Sequence, residues 1–220
     1  MRAKNKFALR VLSAAAVMAM VTSIAAPAFA DAYGIATYGI HYLDEVGNIT
    51  VGVKNGVYTV NDKVDNDGPV IITAKDPSKS TANTITINAE DGDANVTIKD
   101  VDIATKGDKS KNGITVKANE NATANVTLDN VTVDTRDDEE YGGAGMIVKG
   151  DGTTSVELNG NNTLTSGLGH AGLEKNDSDG TGKLVIKDDT KDGGSLTATG
   201  SRYDAAGIGS GAYEDASNIE

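Results

Sequence analysis

Apolar and polar residues alternate with a period of two in short segments between residues 68 and 220. In the segment 95–103, apolar side chains stand at Val96 and Ile98 and again at Val101 and Ile103, with polar residues between them. Alternation of this kind in segments rich in Val, Ile and Thr predicts β-strands. The step of three residues between Ile98 and Val101 breaks the alternation, which predicts a bend that joins two short strands.

The same pattern returns about every thirty residues. The apolar residues that open corresponding segments are Val96, Val126, Val156, Leu184 and Ile219, so the steps are 30, 30, 28 and 35 residues. The predicted bend falls at residues 100, 130 and 160. A repeat of this length is typical of solenoid proteins, in which small units stack and bury a shared apolar core.

A second apolar column precedes each of these segments. Its members are Ile85, Ile114, Met146, Leu173 and Ile208, with spacings of 29, 32, 27 and 35 residues. In the later units small residues come directly before the apolar residue, as in the runs 143–146, 170–173 and 205–208. Small residues allow a tight turn or a close approach of neighbouring coils. Each unit therefore contains about three short strands that are separated by polar turns.

Three strands in each repeat, with no helical periodicity after residue 30, predict an all-β chain that folds as a right-handed parallel β-helix. We expect about four to five coils, each paired with the next at a spacing of about 4.8 Å. The alternative is an antiparallel β-sandwich, which has strands of similar length. The β-helix is favoured because successive strands of a sandwich have no reason to repeat one pattern in register.

The chain divides into three segments by composition. Residues 1–30 resemble a secretory signal peptide: basic residues at 2, 4, 6 and 10 precede an apolar run at 11–24, and small residues stand at 28 and 30. Residues 31–66 do not fit the repeat and are expected to form an N-terminal β cap. Residues 67–220 hold the repeats, which we expect to be C-terminally incomplete, since the sequence ends within a predicted strand.

Charge and cysteine content restrict the partners. Residues 1–30 contain four of the 20 basic residues and none of the 32 acidic residues, so the chain from residue 31 carries a net charge of about −16. This charge argues against nucleic acid and against an anionic membrane as partners, because both attract positive surfaces. The chain has no cysteine, which excludes disulfides. We expect a secreted protein with no membrane contact after signal cleavage.

Three runs, NVTIKDV at 95–101, NVTLDNV at 125–131 and AGIGSG at 206–211, resemble exported surface proteins of the Firmicutes. Those proteins carry right-handed β-helix repeats and are often labelled as containing a carbohydrate-binding domain. The resemblance covers residues 68–220 and implies a surface location and glycan binding. It transfers no catalytic residue to this chain, and the fold alone does not establish an activity.

The residues that could support catalysis are few. The chain from residue 31 contains two arginines, Arg136 and Arg202, and two histidines, His41 and His170. Both arginines lie in polar turns, and no Ser/His/Asp arrangement or zinc-ligand spacing is visible. The sequence therefore predicts no catalytic residue and favours a protein that is not an enzyme. The competing hypothesis is a polysaccharide lyase or glycoside hydrolase that acts on an acidic polysaccharide.

Calcium is the one cofactor that the sequence suggests. Acidic turns recur along the chain, and the best candidate ligands are Asp177 and Asp179. Clustered carboxylates and backbone carbonyls are what Ca²⁺ requires, but Asp, Asn and Gly are also ordinary turn residues. No EF-hand pattern is complete, so the alternative, that these acids only form turns, stays open.

A candidate carbohydrate site combines aromatic and charged residues. Tyr141 and Tyr203 each stand three residues before a small-residue position, and Leu168 occupies the same offset in the middle coil. If the coils stack, these three side chains form a column that Arg202, Asp204 and Glu140 would flank. The alternative is that the tyrosines merely cover a turn. The favoured function is a non-enzymatic module for carbohydrate binding or adhesion; a structural spacer within a larger surface protein is the third hypothesis.

Overall fold

The computed structural model describes residues 38–106, 108, 111–137, 140–190 and 193–220. The expected signal peptide, residues 1–30, lies outside these ranges. The described strands are β1 Gly39–Tyr42, β2 Ile49–Lys54, β3 Val57–Val60, β4 Lys63–Asp65, β5 Val70–Thr73, β6 Ile85–Asp91, β7 Asp93–Ala104, β8 Ile114–Ala118, β9 Thr123–Asp134, β10 Met146–Lys149, β11 Thr153–Asn159, β12 Asn161–Thr165, β13 Leu173–Glu174, β14 Lys183–Lys187, β15 Ser195–Thr199 and β16 Ile208–Gly209. A single helical turn, α1, spans Leu43–Val46, and a 3-10 turn spans Asp177–Asp179.

The strands form two sheets in which the strands of each repeat pair with their equivalents in the next, and β3 and β4 add a hairpin at one edge. The first sheet has the order β1-β5-β7-β9-β11-β14, and β12 joins it between β9 and β15. The second has the order β16-β13-β10-β8-β6-β2-β3-β4. The pairs β2–β3 and β3–β4 are antiparallel, and the other described pairs are parallel. The described residues from 38 onward therefore form a parallel β-helix of about five turns, as predicted, and the sandwich alternative is wrong.

The predicted bends divide each long strand into two faces of the helix. Asp100, Asn130 and Gly160 stand at equivalent positions and have φ angles of 51°, 56° and 59°. These left-handed values are the ones that Asn, Asp and Gly tolerate best. The bend turns β7 and β9 from one face to the next, and it separates β11 from β12. With β2, β6, β8, β10, β13 and β16 as the third face, each coil has three sides.

The predicted register is correct for three coils and wrong for the fourth. Val96 pairs with Val126, and Val126 pairs with Val156. Opposite Val156 lies Ile186, not Leu184, so the spacing of this column stays at 30 residues. Leu184 instead lies opposite Thr154, and it forms a parallel bridge with Ile219.

The register error arises because one inward column holds small or polar side chains in three coils. The inward positions before the valine column are Ala94 and Ala124 in the earlier coils and Thr154 in the next. None of these three is a large apolar residue, whereas Leu184 in the fourth coil is. A pattern search that starts at the first large apolar residue therefore shifts the fourth coil by two. A shift of two residues keeps the same side chains facing the core, so the prediction of which residues are buried is unchanged.

The second predicted column is confirmed throughout. Ile85, Ile114, Met146, Leu173 and Ile208 pair in sequence along the third face. The first four are completely buried, but Ile208 in the last coil is 42% exposed. The core is therefore a set of stacked aliphatic columns that is well covered in the middle coils and open at the last one.

Residues 38–66 combine two arrangements. Strands β1 and β2 join the parallel sheets, because β1 pairs with β5 and β2 pairs with β6. Strands β3 and β4 add an antiparallel hairpin at the edge of the second sheet.

Across the described residues, no helix has the length and apolar character that a membrane span requires.

Candidate functional site at the stacked turns

The turns that link the second face to the third lie on top of one another in the last three coils. The amide of Leu168 donates to the carbonyl of Glu140 at 2.7 Å, and the amide of Gly167 donates to the carbonyl of Gly143 at 2.8 Å. In the next coil the amide of Ser201 donates to the carbonyl of His170 at 3.2 Å. We call the surface formed by residues 136–137, 140–143, 166–170 and 199–204 the turn edge.

Glycine makes this close stacking feasible. A Cβ atom on Gly167 would lie 2.3 Å from the backbone of Gly142 in the coil below. Gly142 itself has a φ of 151°, which side chains rarely adopt, and a Cβ there would lie 2.0 Å from the carbonyl oxygen of Thr135. Backbone contacts at these distances require residues without a side chain. Gly142 and Gly167 therefore allow successive turns to lie in direct backbone contact.

The two predicted tyrosines lie on the turn edge with different exposure. Tyr141 is half-buried, and its amide donates to the carboxylate of Asp137 at 2.8 Å. Tyr203 is 60% exposed and has a φ of 71°. Leu168, half-buried, lies in the turn between them. The stacking thus places the three residues in consecutive turns of one edge, as the sequence suggested, with Tyr203 as the accessible aromatic side chain.

Arg202 reaches across the turn edge to the coil two levels below. Its Nε lies 3.0 Å from Oε2 of Glu140, and both side chains are substantially exposed. An exposed ion pair of this kind contributes about 0–1 kcal/mol, so it fixes orientation more than it stabilises the fold. Asp204 lies in the same turn as Arg202, is exposed and has a φ of 60°. The predicted flanking residues are therefore all on this surface.

Arg136 is held by an acidic neighbour. Its Nε and Nη2 donate to the two carboxylate oxygens of Asp134 at 3.0 and 2.8 Å. Hydrogen bonds from the guanidinium lower the pKa of Asp134, although partial burial opposes this change. The pair borders an open depression of about 460 Å³ that Lys106, Asp137 and Glu140 also line. Each arginine of the turn edge is thus paired with a carboxylate.

The two candidate calcium ligands have different partners. One carboxylate oxygen of Asp177 accepts from the amide and the hydroxyl of Ser217 at 2.9 and 2.8 Å. Asp179 accepts from Nζ of Lys149 at 2.8 Å and from Nδ2 of Asn176 at 3.1 Å. Within the described ranges, no group of three or more His, Cys, Asp or Glu side chains is arranged to hold a metal ion. These acids organise the turn that follows β13.

The sequence analysis missed a buried polar cluster next to the turn edge. The side chain of Glu174 is 2% exposed and accepts from Nδ1 of His170 at 3.0 Å. It also accepts from the amide of Ala171 at 2.8 Å and from Nδ2 of Asn176 at 3.0 Å. The hydrogen bond with Glu174 raises the pKa of His170. The available signal was His170 itself, which replaces the small residues found at this position in the neighbouring coils.

The other histidine forms a similar pair at the opposite end of the helix. Nε2 of His41 lies 2.8 Å from Oδ2 of Asp65, whose side chain is 7% exposed. This pair lines an open cavity of about 590 Å³ between β1, α1 and β4. The pair connects β1 to the hairpin, so its evident role is to fix the first coil.

No protein-family model, curated protein or solved structure matches this chain. The resemblance to exported surface proteins therefore remains a prediction. The fold by itself identifies no function.

Proposed function

We propose that this protein is a secreted or bacterial cell-surface module, without enzymatic activity, that binds carbohydrate along the turn edge. The observation that carries the proposal is the exposed side chain of Tyr203 beside an Arg202–Glu140 pair that spans the stacked turns. These groups stand on backbone turns that are hydrogen-bonded to the coils beneath them. A site on such a rigid support is pre-organised, which lowers the entropy cost of binding.

The residue types suit a sugar. A tyrosine ring offers a flat apolar face for the C–H side of a pyranose and loses little conformational entropy, because it has two rotatable bonds. The guanidinium of Arg202 donates hydrogen bonds, and the carboxylates of Glu140 and Asp204 accept them from hydroxyl groups. A shallow surface of this kind fits an extended chain of several sugar units better than a single small molecule.

The charge pattern favours a neutral glycan. Arg136 is bound by Asp134, and Arg202 is bound by Glu140, so neither guanidinium carries uncompensated positive charge. The chain as a whole is strongly acidic. An anionic polysaccharide would meet repulsion at this surface, and electrostatic complementarity is a main source of specificity.

The same pairing argues against polysaccharide cleavage by a lyase mechanism. That chemistry needs a basic group that is free to take a proton from the sugar. Both arginines of the turn edge are engaged with carboxylates, and the buried Glu174 already accepts from three donors. The arrangement therefore supports binding more than it supports catalysis.

A glycan-array screen followed by calorimetric titration tests this function. We expect a neutral oligosaccharide to bind the native protein, and Tyr203→Ala to weaken that binding by about tenfold or more, since one aromatic contact contributes about 1.4 kcal/mol or more. The matched control is Tyr38→Ala, which removes an exposed tyrosine at the other end of the helix. Equal binding by the native protein and Tyr203→Ala would contradict the proposed site, as would preferred binding of polyanionic glycans.

A further inference from the structure

The polar cluster around Glu174 lies under the last coil and is bonded to it. Asn176 donates to Glu174 through Nδ2, and its Oδ1 accepts from the amide of Gly211 at 2.9 Å. Gly211 packs against the carboxylate, since a Cβ atom there would lie 3.0 Å from Oε2 of Glu174. Glu174 is therefore enclosed by residues of its own coil and by the last coil.

The turn that carries His170 makes further contacts with the last coil. The carbonyl of Gly169 accepts from the amide of Ala212 at 2.8 Å, and the amide of Gly169 donates to Oγ of Ser201 at 2.7 Å. The carbonyl of His170 accepts from the amide of Ser201. The turn that carries His170 is therefore hydrogen-bonded to residues 201 and 212 of the last coil.

Few other charged groups face this pair. Lys149 on β10 lowers the pKa of the imidazole by repulsion, but its ammonium is bound to Asp179 of the 3-10 turn. The ammonium of Lys175 lies 3.6 Å from a carboxylate oxygen of Asp177 and 3.5 Å from the carbonyl oxygen of Gly180. The last coil presents Gly211 and Ala212, which are uncharged. The charge of His170 is thus the main variable charge beside the buried carboxylate.

We propose that His170 and Glu174 form a pH-dependent latch that holds residues 201–212 of the last coil on the coil beneath. With the imidazole protonated, the buried carboxylate has a cationic donor and two neutral donors. When the imidazole loses its proton, Glu174 stays enclosed with neutral donors alone. Hydrogen bonds to a charged partner are stronger than neutral ones, so the enclosure and the contacts of Asn176 with Gly211 weaken.

The direction of the pH effect follows from the raised pKa of His170. The unfolded or detached turn has a histidine with an ordinary pKa of about 6.5, whereas the latched form binds its proton more tightly. The stabilisation of the attached last coil is therefore complete below about pH 6.5. It is lost as the pH rises through the higher pKa that His170 has in the latched form. The latch does not depend on the proposed carbohydrate binding.

Amide hydrogen exchange, measured by NMR on the full chain between pH 5.5 and 8.5, tests the latch. Protection factors are compared because they remove the intrinsic pH dependence of exchange. We expect the protection of Gly211 and Ala212 to be lost progressively as the pH rises over this range, while that of Ile85, which bonds to Gly113 in the middle of the helix, stays constant. A constant protection factor at Gly211 would overturn the proposal.

Two variants complete the test. His170→Gln keeps a neutral donor, so the pH dependence at Gly211 should disappear. His41→Gln removes the only other histidine of the chain and should leave the pH dependence at Gly211 unchanged. A pH dependence that survives in His170→Gln, or is lost in His41→Gln, would overturn the latch. An NMR titration of the native His170 ring must also give a pKa above the ordinary value; a lower value would contradict the account.

Discussion

At the scale of single residues, the core shows how the surroundings decide the effect of a polar side chain. Thr135 and Thr154 are both completely buried. The hydroxyl of Thr135 donates to the carbonyl of Gly143 at 2.6 Å and accepts from the amide of Gly167 at 2.9 Å. The hydroxyl of Thr154 points into the aliphatic core and has no hydrogen-bond partner among the described residues. The same residue type is thus satisfied at one position and unsatisfied at the other.

Replacing each threonine by valine should therefore change stability in opposite directions. Thr154→Val should raise the free energy of unfolding by about 1 kcal/mol, because an unpaired buried hydroxyl is removed. Thr135→Val should lower it by about 1 kcal/mol, because the amide of Gly167 and the carbonyl of Gly143 each lose their hydrogen bond to the hydroxyl and keep only the bond between them. Urea denaturation of both variants measures the two values. A loss of stability in Thr154→Val would contradict this description of the core.

At the scale of strands and bends, one side chain substitutes for part of the sheet ladder. Asn162 occupies an inward position of β12 and is almost completely buried. Its Oδ1 accepts from the amide of Val131 at 3.0 Å, and its Nδ2 donates to the carbonyls of Asn159 and Ser195 at 2.9 and 3.1 Å. These contacts tie three successive coils together at the bend, where the regular ladder of backbone hydrogen bonds is interrupted.

We expect Asn162→Leu to destabilise the protein even though leucine has a similar size and suits an aliphatic core. The amide of Val131 and two carbonyls would lose their partner, at a total of about 3 kcal/mol. Asn161→Ala is the control, because Asn161 is exposed and its substitution should change stability by about 0.5 kcal/mol or less. Thermal and urea unfolding give both values. A neutral or stabilising Asn162→Leu would show that the bend does not need this side chain.

The strands and bends were largely predictable from local pattern, because alternation and turn residues are properties of neighbouring positions. The bends at Asp100, Asn130 and Gly160 illustrate this, since each residue type matches the left-handed backbone there. The register of Ile186 was not predictable, because it depends on which inward position holds a small or polar residue. Asn162 was also missed: in the sequence it is one of many polar residues, and its role depends on contacts with three coils.

At the scale of the whole molecule, stacking converts a linear repeat into a surface. Tyr141 and Tyr203 are distant in sequence, and the repeat was sufficient to predict that both lie on one edge. The pairing of Arg202 with Glu140 and the burial of Glu174 could not be predicted, since side-chain partners two coils apart and the cover provided by the last coil depend on the detailed geometry of the turns. The functional proposal and the latch both require that successive coils lie in register.

Spin-label distances along one outward column test that requirement most directly. Asn95, Asn125, Ser155 and Val185 lie in register on consecutive coils, and the chain has no cysteine that would interfere with labelling. Pairs made by Asn95→Cys with Asn125→Cys, Ser155→Cys or Val185→Cys, measured by electron paramagnetic resonance, should give distances that increase by about 4.8 Å per coil. Distances that do not increase in this order would contradict the stacked-coil account and, with it, the turn edge.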